Sequence, residues 1–291
     1  MRPFPGTPGG HPGSGHRRTC PGARRQGNPD YRWGAVLLGL VLLAAAAAPA
    51  AAADQDLSYF EFQSLSVAAH RLDHLALLDP PEGKVGMYVV LGDRYGLVHL
   101  FHLMHNKSVQ LWESKQLDGM VSEVKVADLD GDSFDDAFTA STSSGMFYVW
   151  DAATFEPKFE SLTTDFQGIN TYTFGNVDDD PQTEIIINAD NRLYYLDGLS
   201  FNREWTSLQE YEATRMMCGD VDGDRRNEII LSTGQVIDSR SGEVEWEDEV
   251  FGSRVELIDI DGDGVPEVLT ESDGIPLRIY DVDHRKEKHL Q

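Results

Sequence analysis

An acidic pattern of nine residues recurs four times in this chain and constrains the fold more than any other feature. The copies are DLDGDSFDD at 128–136, NVDDDPQTE at 176–184, DVDGDRRNE at 220–228 and DIDGDGVPE at 259–267. Each reads D/N-x-D-x-D-x-x-x-D/E. Carboxylates crowded this closely repel one another. At about 4 Å each like-charge pair costs roughly 4 kcal/mol at an effective dielectric near 20. A divalent cation removes that cost. Ca²⁺ suits the pattern, because it is a hard ion that takes roughly 6–8 oxygen ligands in flexible geometry.

The spacing assigns a role to each position. Side chains at positions 1, 3 and 5 converge when the backbone curls around one point. These are Asp128, Asp130 and Asp132; Asn176, Asp178 and Asp180; Asp220, Asp222 and Asp224; and Asp259, Asp261 and Asp263. Position 7 offers a backbone carbonyl, so its side chain is free to vary, as Phe134, Gln182, Arg226 and Val265 do. Position 9 returns a carboxylate from Asp136, Glu184, Glu228 or Glu267. Gly131, Gly223 and Gly262 at position 4 permit a tight backbone turn. Asp179 takes that place in the second loop. Up to four structural Ca²⁺ ions are expected. An EF-hand is excluded, because it needs Gly at position 6, Glu at position 12 and flanking helices. Position 12 here is Thr139, Ile187, Leu231 or Thr270, and β-rich runs follow each loop. Solvated acidic turns are the plain alternative. Four copies in register, each entering a strand, argue against it.

A fixed period points to a repeat fold. The loops begin at Asp128, Asn176, Asp220 and Asp259, spaced 48, 44 and 39 residues apart. A second element follows each of the first three: FYVWDAATFEPKFES, LYYLDGLSFNREWTS and VIDSRSGEVEWED. Each is a β run, a turn and a further run with Phe159, Trp205 or Trp246 near its end; Trp112 holds that place upstream. Four short strands per repeat predict an all-β protein, a β-propeller of five blades with four antiparallel strands each. The first blade is degenerate: its turn from Asp79 to Gly86 carries only Asp79 and Glu82 as acids, so no metal is expected there. Residues 57–66, LSYFEFQSLS, supply a spare strand that would complete the last blade and close the ring. A partial propeller completed by a second chain is the other solution.

The N-terminal residues are read apart from the propeller at 54–291. Residues 1–33 are rich in Gly, Pro and Arg, and residues 34–53 are apolar and end in Ala. Residues 1–53 read as a leader with a signal peptide cleaved near Ala53, or as an uncleaved N-terminal anchor, since roughly 20 apolar residues span a bilayer. Pro49 and the alanine-rich end favour cleavage. The expected location is secreted, periplasmic or at the cell surface. The formal net charge is −25, and Asp30 is the sole acid before residue 54, so the negative charge belongs to the repeats. That excludes nucleic acid, and anionic membrane surfaces unless the apolar segment is retained. Cys20 lies in the leader, which leaves Cys218 alone, a small apolar residue on a strand.

The loops resemble the calcium loops of FG-GAP and VCBS repeats, as in the β-propeller of integrin α subunits. The likeness covers about residues 120–270. The FG-GAP tetrads themselves are poorly kept: Phe174-Gly175 precedes the second loop and Cys218-Gly219 the third. Asn176 departs from the commoner Asp at position 1, and the resemblance implies a weaker site there. The resemblance implies a structural role for calcium, and it carries over no partner.

The leading functional expectation is a secreted or periplasmic, calcium-stabilised module that binds a protein or a glycan. Phe166, Tyr211 and Phe251 recur in the connections between blades, and Tyr95 lies in a hairpin. They either form an aromatic binding surface or pack over the neighbouring blade. The rival readings are an extracellular polysaccharide-active enzyme and a membrane-anchored scaffold or assembly protein. No catalytic residue stands out, so the chain reads as a non-enzyme. The best histidine cluster, His99, His102 and His105, divides between the two faces of one strand.

Overall fold

Val, Ile, Tyr, Phe and Thr dominate the runs between the turns, and these runs form strands. The computed structural model describes residues 74–80, 86–104, 107–178, 180–272 and 275–288. The leader, the apolar segment, the spare strand at 57–66, His105 and most of the turn after Asp79 lie outside them.

Five four-stranded antiparallel sheets follow one another along the chain. The first blade is β1 (Leu75–Leu78), β2 (Met87–Gly92), β3 (Val98–Met104) and β4 (Lys107–Glu113). The second is β5 (Val121–Ala127), β6 (Ala137–Thr142), β7 (Phe147–Asp151) and β8 (Pro157–Glu160). The third is β9 (Ile169–Gly175), β10 (Glu184–Ala189), β11 (Arg192–Leu196) and β12 (Arg203–Thr206). The fourth is β13 (Met216–Gly219), β14 (Glu228–Leu231), β15 (Gln235–Asp238) and β16 (Val244–Glu247). The fifth is β17 (Arg254–Ile258), β18 (Glu267–Ser272), β19 (Ile275–Asp281) and β20 (Lys286–Lys288). Each sheet is a simple meander, paired in sequence order. The architecture is the expected β-propeller.

The second, third and fourth blades pack on both faces, so their second strands do not alternate. β6, β10 and β14 are buried along their whole length. Four apolar clusters fill the spaces between successive blades. Between the first and second, Trp112 meets Phe138 edge-on at 5.3 Å, and Phe138 stacks on Trp150 at 5.4 Å. Between the second and third, Phe147 meets Tyr172 at 4.9 Å. Between the fourth and fifth, Trp246 meets Tyr280 at 5.8 Å. Such aromatic pairs contribute about 0.5–1.5 kcal/mol each beyond their buried area.

Polar residues of the first strands meet near the axis. Glu123 accepts from Thr171 Oγ1 at 3.2 Å, and Lys125 Nζ lies 3.2 Å from Glu123 Oε1. Lys125 also donates to the carbonyl of Tyr172 and lies over its ring. Burial raises the carboxyl of Glu256 on β17, and the charges of Lys125 and Arg215 partly offset that rise. Side chains from the second, fourth and fifth blades therefore share one field.

The connections between blades decide between the two readings of the aromatics. Phe166, Tyr211 and Phe251 are buried. Phe166 packs against Tyr194, and Phe251 against Tyr280 at 4.8 Å. These three residues seal blade interfaces and present no aromatic surface; Tyr95 alone of the four is exposed.

The second residue of each acidic loop also serves the core. Leu129, Val177 and Val221 are buried in the three clusters that join the second blade to the fifth. Their counterpart Ile260, on the outer flank of the fifth blade, is 42 % exposed. Leu129→Ala should therefore cost about 2–5 kcal/mol, whereas Ile260→Ala should stay within about 0.5 kcal/mol. Urea unfolding midpoints of the two variants check this difference.

Candidate metal centres

The four loops sit on one rim, each joining the first strand of its blade to the second. One hydrogen-bond scheme builds them. The carboxylate at position 9 accepts the amide of position 2: Leu129 N to Asp136 at 2.9 Å, Val177 N to Glu184 at 2.7 Å, Val221 N to Glu228 at 2.9 Å and Ile260 N to Glu267 at 2.8 Å. Position 3 accepts the amide of position 5, and position 5 that of position 7, in all four loops. Position 1 accepts the amides of positions 4 and 6 in the first, third and fourth. These bonds hold the side-chain oxygens on the inside of the curl.

Backbone conformation explains the sequence at positions 4 and 6. Gly131, Gly223 and Gly262 have φ between 77° and 81°, in the left-handed region that glycine adopts without strain. Ser133, Arg225 and Gly264 at position 6 are left-handed too. The second loop has Pro181 there, which is locked at negative φ and has no amide to donate. Asn176 instead donates from its side chain to the Asp180 carbonyl.

Neighbouring loops join around the rim. Asp79 N donates to Asp135 at 3.0 Å, Thr183 N to the Leu129 carbonyl at 3.1 Å, and Asn227 Nδ2 to the Asn176 carbonyl at 2.8 Å. The degenerate first blade is thus tied to the same belt.

Each loop gathers three of its expected acids, one oxygen of each lying within 4.8 Å of the others. The groups are Asp128, Asp130 and Asp132; Asp178, Asp180 and Glu184; Asp220, Asp222 and Glu228; and Asp259, Asp261 and Asp263. Asp136, Asp224 and Glu267 stand outside these triads. Phe134, Gln182, Arg226 and Val265 occupy position 7 as the spacing requires, with their amides turned to position 5. The donors are all oxygen, which fits a hard cation. A sharper sign of fit is Glu184. It is fully buried, one oxygen takes the Val177 amide, and its Oε1 has no hydrogen-bond partner. An unpaired buried carboxylate oxygen beside two aspartates is a group that a cation would satisfy.

Electrostatics agrees. Burial pushes the Glu184 carboxyl up to about 7, opposed by the Val177 amide and reinforced by Asp178 and Asp180. Burial pushes Glu228 up to about 8, with Asp222, Asp220 and Glu245 adding to the rise. Asp128 is raised by burial and by Asp132, against three amides that lower it.

Four residues escaped the sequence pattern: Lys158, Glu204, Glu245 and Lys288, all from outermost strands that reach the rim. No spacing marks them, since strand pairing alone brings them to the loops. Asp281, Asp283 and His284 form a fifth cluster on the β19–β20 hairpin. The recurring Asp at the end of the third strand, as in WDAATF and LDGLSF, foreshadows it. Its charges are met from within: His284 Nδ1 lies 2.8 Å from Asp281, and Lys286 and Lys288 at 3.4 and 3.2 Å. In the histidine cluster, His99 pairs with Asp93 at 3.3 Å and with Glu113 at 3.2 Å, while His102 stacks on Tyr88. The two histidines do not share a site.

Among known proteins, no family model and no curated protein matches this sequence. Solved structures do. Sqt1 from Saccharomyces cerevisiae aligns at TM-score 0.53 and 10 % identity, over 69 % of this chain and 59 % of that one. BamB from Moraxella catarrhalis aligns at TM-score 0.44 and 15 % identity, over 69 % of this chain and 56 % of that one. Both are β-propellers. This chain spans less than two thirds of either. At 10 % identity the likeness to Sqt1 is one of fold.

The raised carboxyls predict how metal-free protein responds to pH. In the folded chain Glu184 and Glu228 favour the protonated form, relative to an unfolded value of 4.5. Their contribution is fully present below that value and is lost as pH rises through about 7 and 8. In EDTA, stability should fall across that interval, and Glu184→Gln with Glu228→Gln should flatten the fall. Urea titrations at stepped pH measure it.

Proposed function

We propose that this chain is an exported, calcium-stabilised β-propeller of the FG-GAP/VCBS kind that docks a protein on the rim opposite its metal loops. The observation that carries the calcium reading is the buried, unpartnered Glu184 oxygen beside Asp178 and Asp180, in a loop design repeated four times. The role of the ion is structural. It offsets repulsion at turns whose second residues, in three of the four loops, seal the blade interfaces. The acids supply oxygen ligands, and the backbone amides hold those oxygens in place. Calcium at the millimolar levels found outside cells suits loops of this exposure, in line with the apolar segment at 34–53 acting as an export signal.

The docking reading rests on what the opposite rim exposes. That rim carries the connections between blades and the hairpins between second and third strands. Leu208 is 93 % exposed there and Leu162 is 66 % exposed, at equivalent places after β12 and β8. Met120, Val250 and Tyr95 are exposed on the same rim. An apolar series of this kind suits a protein partner. A glycan platform would use stacked aromatics, and Phe166, Tyr211 and Phe251 are buried.

EDTA should lower the melting temperature, and Ca²⁺ should restore it. A site held at about 100 times its dissociation constant adds roughly 2.7 kcal/mol. An unchanged melting curve would refute structural calcium. A partner recovered with the wild-type protein should be lost with Leu162→Asp plus Leu208→Asp, while the melting curve stays in place; retention of the partner would refute docking on this rim.

A further inference from the structure

In each of the four blades with an acidic loop, the outermost strand sends one charged side chain towards that loop, and the sign of the charge differs between blades. β8, β12 and β16 each contain a bulge against the third strand, and the residue skipped by the pairing is Lys158, Glu204 and Glu245 respectively. In the first blade, which lacks the acidic pattern, the skipped residue is Leu111. The fifth blade pairs without a bulge there, and Lys288, opposite Ile279, reaches the loop instead.

Each lysine pairs with its loop at position 9, and Lys288 reaches a member of the triad as well. Lys158 Nζ lies 3.3 Å from Asp136 Oδ2 and 3.7 Å from Asp151. Lys288 Nζ lies 2.7 Å from Asp261 Oδ2 and 3.2 Å from Asp281, and it pairs with Glu267. In these two loops the position-9 acid stands outside the acidic triad and takes the ammonium. The second and third loops are built the other way. Among the described residues, no lysine or arginine pairs with Asp178, Asp180 or Glu184, nor with Asp220, Asp222, Asp224 or Glu228. Glu204 lies in the field of Asp178 and Asp180, and Glu245 in that of Asp222 and Asp224. Here the buried position-9 glutamates, Glu184 and Glu228, do join the triads. The unpartnered Glu184 oxygen belongs to this class.

We propose that this outer-strand residue decides which loops take a divalent cation from solution. The glutamates leave the second and third loops as two tight sites. The lysines stand in for the ion at the first and fourth. A tethered ammonium satisfies the acids with a single charge, and an incoming divalent ion must displace it or bind beside a like charge. The inference rests on the reading of the loops as cation sites and sets their number at two rather than four.

Equilibrium dialysis of the metal-stripped full chain against Ca²⁺ tests it. The wild-type protein should bind two ions tightly. Lys158→Met and Lys288→Met should each add one tight site, a gain that misfolding cannot produce. Glu204→Lys and Glu245→Lys should each remove one. Four equivalent sites in the wild type, with no gain in the methionine variants, would overturn this inference and leave the cation reading standing. Two sites indifferent to the glutamate reversals would overturn it as well. No bound calcium at all would overturn both.

Discussion

One hydrogen bond, from the amide of a loop's second residue to the carboxylate of its ninth, ties charge to packing throughout this protein. It occurs in all four acidic loops at 2.7–2.9 Å. In three of the four loops the residue that donates it points its side chain into the next blade interface, as Leu129, Val177 and Val221 do. The residue that accepts it opens the second strand of the blade or lies just before it. A loop that opened under its own repulsion would pull an apolar side chain out of the core. The stability of the ring therefore depends on how the negative charge on this rim is met.

The protein meets that charge in more than one way. Backbone amides neutralise part of it at every loop, since the aspartates of the curl accept them. Lysines from outer strands meet more of it in the second and fifth blades. In the third and fourth blades the outer strand adds carboxylates, and two glutamates are buried, with Glu184 lacking a partner for one oxygen. Those two loops are the ones that an ion from solution would complete. The opposite rim is free of this constraint, and there leucines stand exposed.

Much of this was legible in the sequence. The repeat spacing and the β runs pointed to five blades, because strand alternation and turn chemistry are local properties. The nine-residue pattern located the loops and their inward oxygens, because the alternation of Asp128, Asp130 and Asp132 is itself geometric. Three things were hidden. The exchange of Asp136 and Glu267 for lysine pairing depends on Lys158 and Lys288, which lie 22 and 21 residues away along the chain. The different curl of the second loop follows from Pro181, whose effect shows only when position 6 is seen to be left-handed elsewhere. The burial of Phe166, Tyr211 and Phe251 depends on how neighbouring blades approach, which no pattern within one repeat encodes.

Crystals of the protein grown with calcium offer the most direct test of ion binding at the rim, through anomalous scattering from the metal. Anomalous density is expected within Asp178, Asp180 and Glu184, and again within Asp220, Asp222 and Glu228. A featureless anomalous map at both loops, in crystals equilibrated with millimolar calcium, would contradict a rim held together by captured cations.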